Sequence, residues 1–190
     1  MRLIDDGEPG SFSMRLLADE LNVAVMTLYG YVSNKEELYE GVTALAFGEL
    51  PAQTADGGSW EEDVRRAVRE LQGICSRHPK LVTIVLADTK PNPGLYLRRE
   101  RILSALRRAG FTPGRALHAL GVLSSYALGF AMAQGSQALH HIPETVRDER
   151  RAEFPGLSEV ADDYAAHLDP AAFDYGLDLI LGGLRAELGG

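Results

Sequence analysis

The chain has 190 residues, 45% of them apolar and 24% charged, with one cysteine and a formal net charge of −8. One thiol cannot build a disulfide framework within a chain, and an acidic balance argues against generic nucleic-acid affinity, which rests on phosphate neutralisation by Lys and Arg. No apolar run approaches the roughly 20 residues that cross a bilayer and no charged-then-apolar leader precedes the fold, so a cytoplasmic protein without membrane contact is expected.

In chain order, Ser13 predicts the first helix start, its hydroxyl able to accept from a first-turn amide. Met14, Leu17, Ala18 and Leu21 then fall at i, i+3, i+4 and i+7, one buried face. Ala18 lies where a second helix must approach closely, Asn22 tolerates the left-handed backbone that ends a helix, and Val23 is expected to plug the turn. From Ala24 to Val32 a second short helix should bury Leu28 and Val32. That leaves Val25, Met26, Thr27, Tyr29, Gly30 and Tyr31 outward, an apolar and aromatic face. Asn34 caps a third helix beginning KEEL, whose Glu36 and Glu37 favour its positive end.

The third helix runs to about Leu50 and leads into PAQTADGGS, small and polar enough for a linker and hinge. Ser59 caps WEEDVRRAVRELQGICSRH, which stops before Pro79. LVTIVLADTK has no partner strand in the chain and is expected to be a short buried helix breaking at Pro91 and Pro93. LYLRRERILSALRRAG follows as an amphipathic helix ended by Gly110. Thr112 caps the long PGRALHALGVLSSYALGFAMAQG, in which Gly121, Ser124, Ser125, Ala127, Gly129 and Ala131 let another helix pack close. The polar stretch 136–169 is expected to be a loop with one short helix. Pro170 starts the last helix, where Phe173, Leu177, Ile180, Leu181, Leu184 and Leu188 form one apolar stripe that needs a partner surface.

Catalytic patterns are absent: there is no HExxH, no phosphate-cradling Gly loop and no nucleophile elbow. The pairs Asp5/Asp6, His140/His141 and Asp162/Asp163 are sequence neighbours, which point apart on a helix. Cys75 lies inside an apolar helix, His78 reads as a helix C-terminal residue, and His118 and His167 are isolated. No enzyme, metal or cofactor is expected.

The run LADELNVAVMTLYGYVSNKEEL resembles the DNA-binding segment of the tetracycline repressor (TetR) family, in which A-x-x-L-x-V, T-L-Y and N-K-x-x-L recur at this spacing. The resemblance continues through DGGSWEEDVRRAVRELQGICSRHP, DTKP at Asp88 to Pro91, RRAGFTPGRALHALGVLSSYALGF and FDYGLDLILGGL, and so covers nearly the whole chain. It implies an all-α fold: a helix-turn-helix DNA-binding domain over 1–50 and a helical ligand-binding and dimerisation domain over 51–190. Arg2–Ile4 followed by DDGEPG resembles only the last turn and exit loop of the family's first helix, which is expected to be truncated here.

The family pattern implies DNA contact by Ser13, Met14 and Arg15, by Val25, Met26, Thr27, Tyr29, Gly30 and Tyr31, and by Lys35. Among these, Arg15 would take a guanine, Val25 and Met26 would touch thymine methyls, and Tyr29 and Lys35 would hold the phosphate backbone. The partners implied are a palindromic double-stranded operator, a small-molecule inducer and a second copy joined through the long helix 112–135 and the last helix 170–188. Leu71, Leu86, Pro91, Ile102, Leu103, Leu117, Leu120 and Ser124 are the expected inducer walls, although any one of them alone is more often plain core. Tetracycline-binding members carry a His just before the T-[RK]-P turn and a Glu near the end of the long helix. Here Leu86 and Ala133 stand at those places, which argues against magnesium-tetracycline. Residues 1–50 hold three basic against nine acidic side chains, a net of −6. The rival reading is therefore a helical small-molecule-binding regulator whose DNA grip is lost.

Overall fold

A computed structural model describes residues 3, 12–48, 58–79, 93–136 and 139–189. Every regular element among them is helical. α1 (Met14–Glu20) starts at Ser13, whose Oγ accepts from the Leu16 amide at 3.1 Å. It ends at Asn22, the one non-glycine with positive φ among the described residues, at 53°, and α2 (Val25–Tyr29) follows. α3 (Lys35–Gly48) is capped by Asn34 Oδ1, which accepts from the Glu37 amide at 2.8 Å.

α4 (Trp60–Arg77) opens with a reciprocal capping box between Ser59 and Glu62 and ends at His78, as expected. α5 (Pro93–Arg108) turns through Gly110, whose φ of 107° needs a residue without Cβ, into α6 (Pro113–Gln134), capped by Thr112. The expected loop with one short helix over 136–169 instead contains a π-helical turn (Thr145–Glu149), α7 (Pro155–Glu159) and a 3₁₀ turn (Tyr164–Leu168). α8 (Pro170–Leu188) starts from Asp169, whose Oδ1 accepts from the Ala172 amide at 2.7 Å. The short buried helix expected over LVTIVLADTK, and with it Leu86 and Pro91, lies outside the described residues.

Two apolar clusters organise the chain. Met14, Ala18 and Leu28 form the small one, where α1 crosses α2. The large one gathers Val64, Val68, Leu71, Ile74 and Cys75 of α4 with Ile102, Ala105 and Leu106 of α5, Leu123, Ala127 and Ala131 of α6, and Phe173, Leu177 and Leu181 of α8. α4 is its centre, packing most extensively on α6 and α5.

Two expectations need correction here. Half of the α8 stripe has its partner within the chain: Phe173, Leu177 and Leu181 are 3%, 0% and 1% exposed in its own core, while Ile180 and Leu184 are half-buried and Leu188 is exposed. And α6 is long and apolar enough to cross a membrane, where none was expected. Its apolarity is divided between two sides: Ala116, Ala119, Leu120, Leu123, Ala127 and Ala131 are buried in this core, and Leu117, Val122 and Met132 stand bare on the other.

Candidate functional site

The α1–α2 turn is built by small side chains and backbone closure. Ala18 is fully buried at the crossing, and its carbonyl accepts from the Val23 amide at 3.0 Å. Val23 closes the turn through that amide alone; its side chain is exposed rather than a plug, and Leu21, at the end of α1, is also out of the core. The α2 carbonyls and amides continue into the turn, with Gly30 N donating to Thr27 O and Val32 N to Leu28 O.

Of the residues expected to meet DNA, Ser13, Arg15, Met26, Thr27, Tyr29, Gly30 and Tyr31 are exposed, the last five along α2 and its exit turn. Three depart from expectation. Met14 is 7% exposed and packed under α2, so its side chain has no access to a duplex. Val25 is half-buried against the same cluster. Lys35 turns back into the fold: its Nζ donates to the Phe12 carbonyl at 2.6 Å and stands 5.3 Å from the ring centroids of both Phe12 and Tyr39. One of its three ammonium donors is committed to the joint between α1 and α3.

The expected inducer walls divide similarly. Leu71, Ile102 and Leu120 are buried together in the large core, Leu103 packs against it and Ser124 is half-buried. Leu117 is excluded from any interior wall, because it is 60% exposed on the outer side of α6.

Sequence reasoning missed two polar features of this core. Arg98 of α5 is 4% exposed and pairs with Glu70 of α4 at 3.1 Å. Burial pushes its guanidinium down from the usual range, and Glu70 opposes that shift. At the far end of α4 and α6, Gln72 Nε2 donates to Gln134 Oε1 at 2.7 Å and Ser76 Oγ donates to the same oxygen at 2.7 Å. Gln134 Nε2 in turn donates to Leu168 O at 2.7 Å, tying the segment before α8 to the bundle. No local pattern announces such a network, since Gln72 and Gln134 are 62 positions apart. Cys75 is buried, and burial pushes its thiol up to about 11, which removes it as a nucleophile at neutral pH.

The outer side of α6 and α8 is a third surface. Leu117, Val122, Met132, Tyr175 and Leu179 are all more than half exposed there. A groove of about 630 Å³ runs between the two helices, floored by Ala119, Val122, Ile180 and Leu184 and closed at one end by the ion pair of Arg115 with Glu187. Among the described residues no group of three His, Cys, Asp or Glu side chains is placed to hold a metal.

Comparison with known proteins gives this geometry its setting. Residues 50–188 match the family described as tetracyclin repressor-like, C-terminal domain. An HTH-type transcriptional regulator of Saccharopolyspora erythraea is 30% identical over 202 residues, spanning 100% of this chain and 82% of the relative. The HTH-type transcriptional repressor DrrR1 of Streptomyces coeruleorubidus is 29% identical over 190 residues, 91% of this chain and 69% of the relative. Among solved structures, the Streptomyces coelicolor TetR family protein ActR in complex with (S)-DNPA superposes with a TM-score of 0.71 at 26% identity, covering 98% of this chain and 93% of that one.

Proposed function

The chain belongs to the tetracycline repressor-like family of transcriptional regulators, and from that premise we propose that it is a ligand-responsive repressor, a homodimer that holds a palindromic operator and is released by a small-molecule inducer. The observation that carries the reading is the exposed face of Met26, Thr27, Tyr29 and Tyr31, presented on a short helix whose opposite side is locked down by Ala18 and Leu28. A reader needs that combination, a rigid base and unsatisfied chemistry at its tip. Residues 1–50 form the DNA-binding domain and 51–190 the inducer-binding and dimerisation domain. Arg15, Thr27 and Tyr29 supply the polar contacts. Reading an operator places the work of the protein in the cytoplasm.

The dimer forms through the outer sides of α6 and α8, within 112–135 and 170–188. The glycines support this assignment. A Cβ at Gly121, Gly129, Gly182 or Gly183 would meet nothing within 4 Å. Nothing inside one copy therefore requires the roughly 1 kcal/mol that each costs in a helix interior relative to Ala. Close approach of a second copy supplies the reason, and an isologous contact of apolar, small-residue surfaces is the expected form.

The inducer enters the core side of α4, α5 and α6, where Leu71, Ile102, Leu103 and Leu120 gather and where Ser124 of α6 is half-buried. It is an apolar molecule and not magnesium-tetracycline, because Leu86 and Ala133 stand where tetracycline-binding members carry His and Glu. Inducer works by binding the DNA-incompetent arrangement more tightly than the competent one.

One observation favours the rival, a small-molecule-binding regulator with lost DNA grip: Lys35, one of three cations in residues 1–50, is turned inward. A mobility-shift titration of the full chain against DNA flanking its own coding region, at two salt concentrations, separates the two. Sequence-selective, salt-sensitive retardation is the expected result; no retardation at either salt favours the rival.

A further inference from the structure

Polar joints hold α6 and α8 side by side along their length. Arg115 pairs with Glu187 at one end, the Tyr126 hydroxyl donates to Phe173 O at 2.8 Å in between, and Gln134 Nε2 donates to Leu168 O at 2.7 Å at the other end. The last joint closes a long excursion, because Gln134 and Leu168 lie 34 positions apart. A stretch of that length reaches far beyond the gap it bridges, so connectivity alone does not set where α8 begins. The buried Leu168 side chain adds cover, which is non-directional. Direction comes from Gln134, and Gln134 is itself held from α4. Its Oε1 accepts from Gln72 Nε2 and from Ser76 Oγ, each at 2.7 Å, and Gln72 Nε2 also donates to Ser76 Oγ at 2.8 Å. Leu168 O can only accept, so one amide orientation satisfies both sides, with oxygen toward α4 and nitrogen toward α8.

We infer that Gln134 is the positioning residue for the start of α8 and, through it, for the dimer face that Tyr175, Leu179, Gly182 and Gly183 carry, an inference that rests on the dimer proposed above. Gln134→Glu separates the two sides of the joint, because a carboxylate still accepts from Gln72 and Ser76 but has no hydrogen for Leu168 O. Gln134→Met removes both sides and brings no charge. Hydrogen exchange of the full chain, kept well above its dimer dissociation constant, is read at the Ala166, Asp169, Ala172 and Phe173 amides, all bonded within this joint. Sedimentation equilibrium gives the dissociation constant. One net hydrogen bond is worth about fivefold, so those amides exchange about fivefold faster in both variants. Each copy loses one such bond, and the dissociation constant rises roughly twenty-five-fold. The α4 amides before Gln72 keep their wild-type rates. Unchanged exchange at the joint, faster exchange with an unchanged dissociation constant, or loosening that spreads through α4 overturns the inference and leaves the dimer intact. A wild-type chain that stays single at micromolar concentration overturns the dimer, and the inference falls with it.

Discussion

The ammonium of Lys35 donates to the carbonyl of Phe12 at 2.6 Å, 23 positions earlier in the chain, while the Phe12 and Tyr39 rings lie 5.5 Å apart beneath it. This one side chain ties the entry of α1 to the first turn of α3 and so fixes the frame that carries α2.

Lys35→Met is accordingly expected to lower stability by about 1–2 kcal/mol, from one charge-assisted hydrogen bond and a partly exposed cation–π contact. The slope of log affinity against log salt stays at the wild-type value. A phosphate-contacting lysine would instead flatten that slope by about one for each copy. Thermal melts and salt titrations of the two proteins check both parts.

Gly176 behaves opposite to the outward glycines. Tyr126 of α6 stacks on Phe173 with ring centroids 5.0 Å apart and donates to its carbonyl at 2.8 Å. A Cβ at Gly176 would run into the Tyr126 hydroxyl. Gly176→Ala should therefore cost about 1–3 kcal/mol by overpacking. Gly129→Ala and Gly183→Ala leave the fold of one copy intact and weaken dimerisation, which sedimentation equilibrium beside thermal melting will resolve.

Cys75 makes stability depend on alkaline pH. Its folded thiol is raised by burial from 9.0 to about 11. A raised value means the unfolded chain gives up this proton first. The contribution is fully present below about pH 9 and is lost as pH rises through about 11, and two units correspond to about 2–3 kcal/mol. Denaturant midpoints measured between pH 8 and 11 should fall along this limb, and Cys75→Ala should remove it.

Glu70 holds the buried Arg98 guanidinium at 3.1 Å. Glu70→Gln is expected to cost about 3 kcal/mol, while the paired change Glu70→Leu with Arg98→Met recovers most of it, since a well-packed apolar pair often replaces a buried ion pair without loss. Urea unfolding of the wild-type chain, the Glu70→Gln variant and the paired variant reads both.

Helix starts were legible because capping is local chemistry: Ser13, Asn34, Ser59 and Thr112 each bond an amide three residues on, and the residue types alone announce it. Asn22 was legible for the same reason. Orientation was less so. Leu117 and Leu120 are one turn apart on an apolar helix with no polar side to break the symmetry, and only packing on α4 decides that Leu120 is buried and Leu117 is bare. The α8 stripe divides: the chain's own core covers Phe173, Leu177 and Leu181 and leaves Leu188 exposed, because periodicity reports an apolar face and not what covers each part of it. Met14 and Lys35 were drawn into the reading face by their place in the motif. Their real positions depend on Leu28 and Phe12, contacts that no spacing rule encodes.

The proposed function puts a pair of α2 tips into successive major grooves. Hydroxyl-radical footprinting of the full chain, on a duplex it enriches from a random pool, reads that geometry. Two protected patches related by a two-fold axis are expected, about 34–36 Å or one helical turn apart centre to centre, both lost in a Thr27→Ala, Tyr29→Ala variant that still dimerises. A single patch, or protection that survives in that variant, would contradict it.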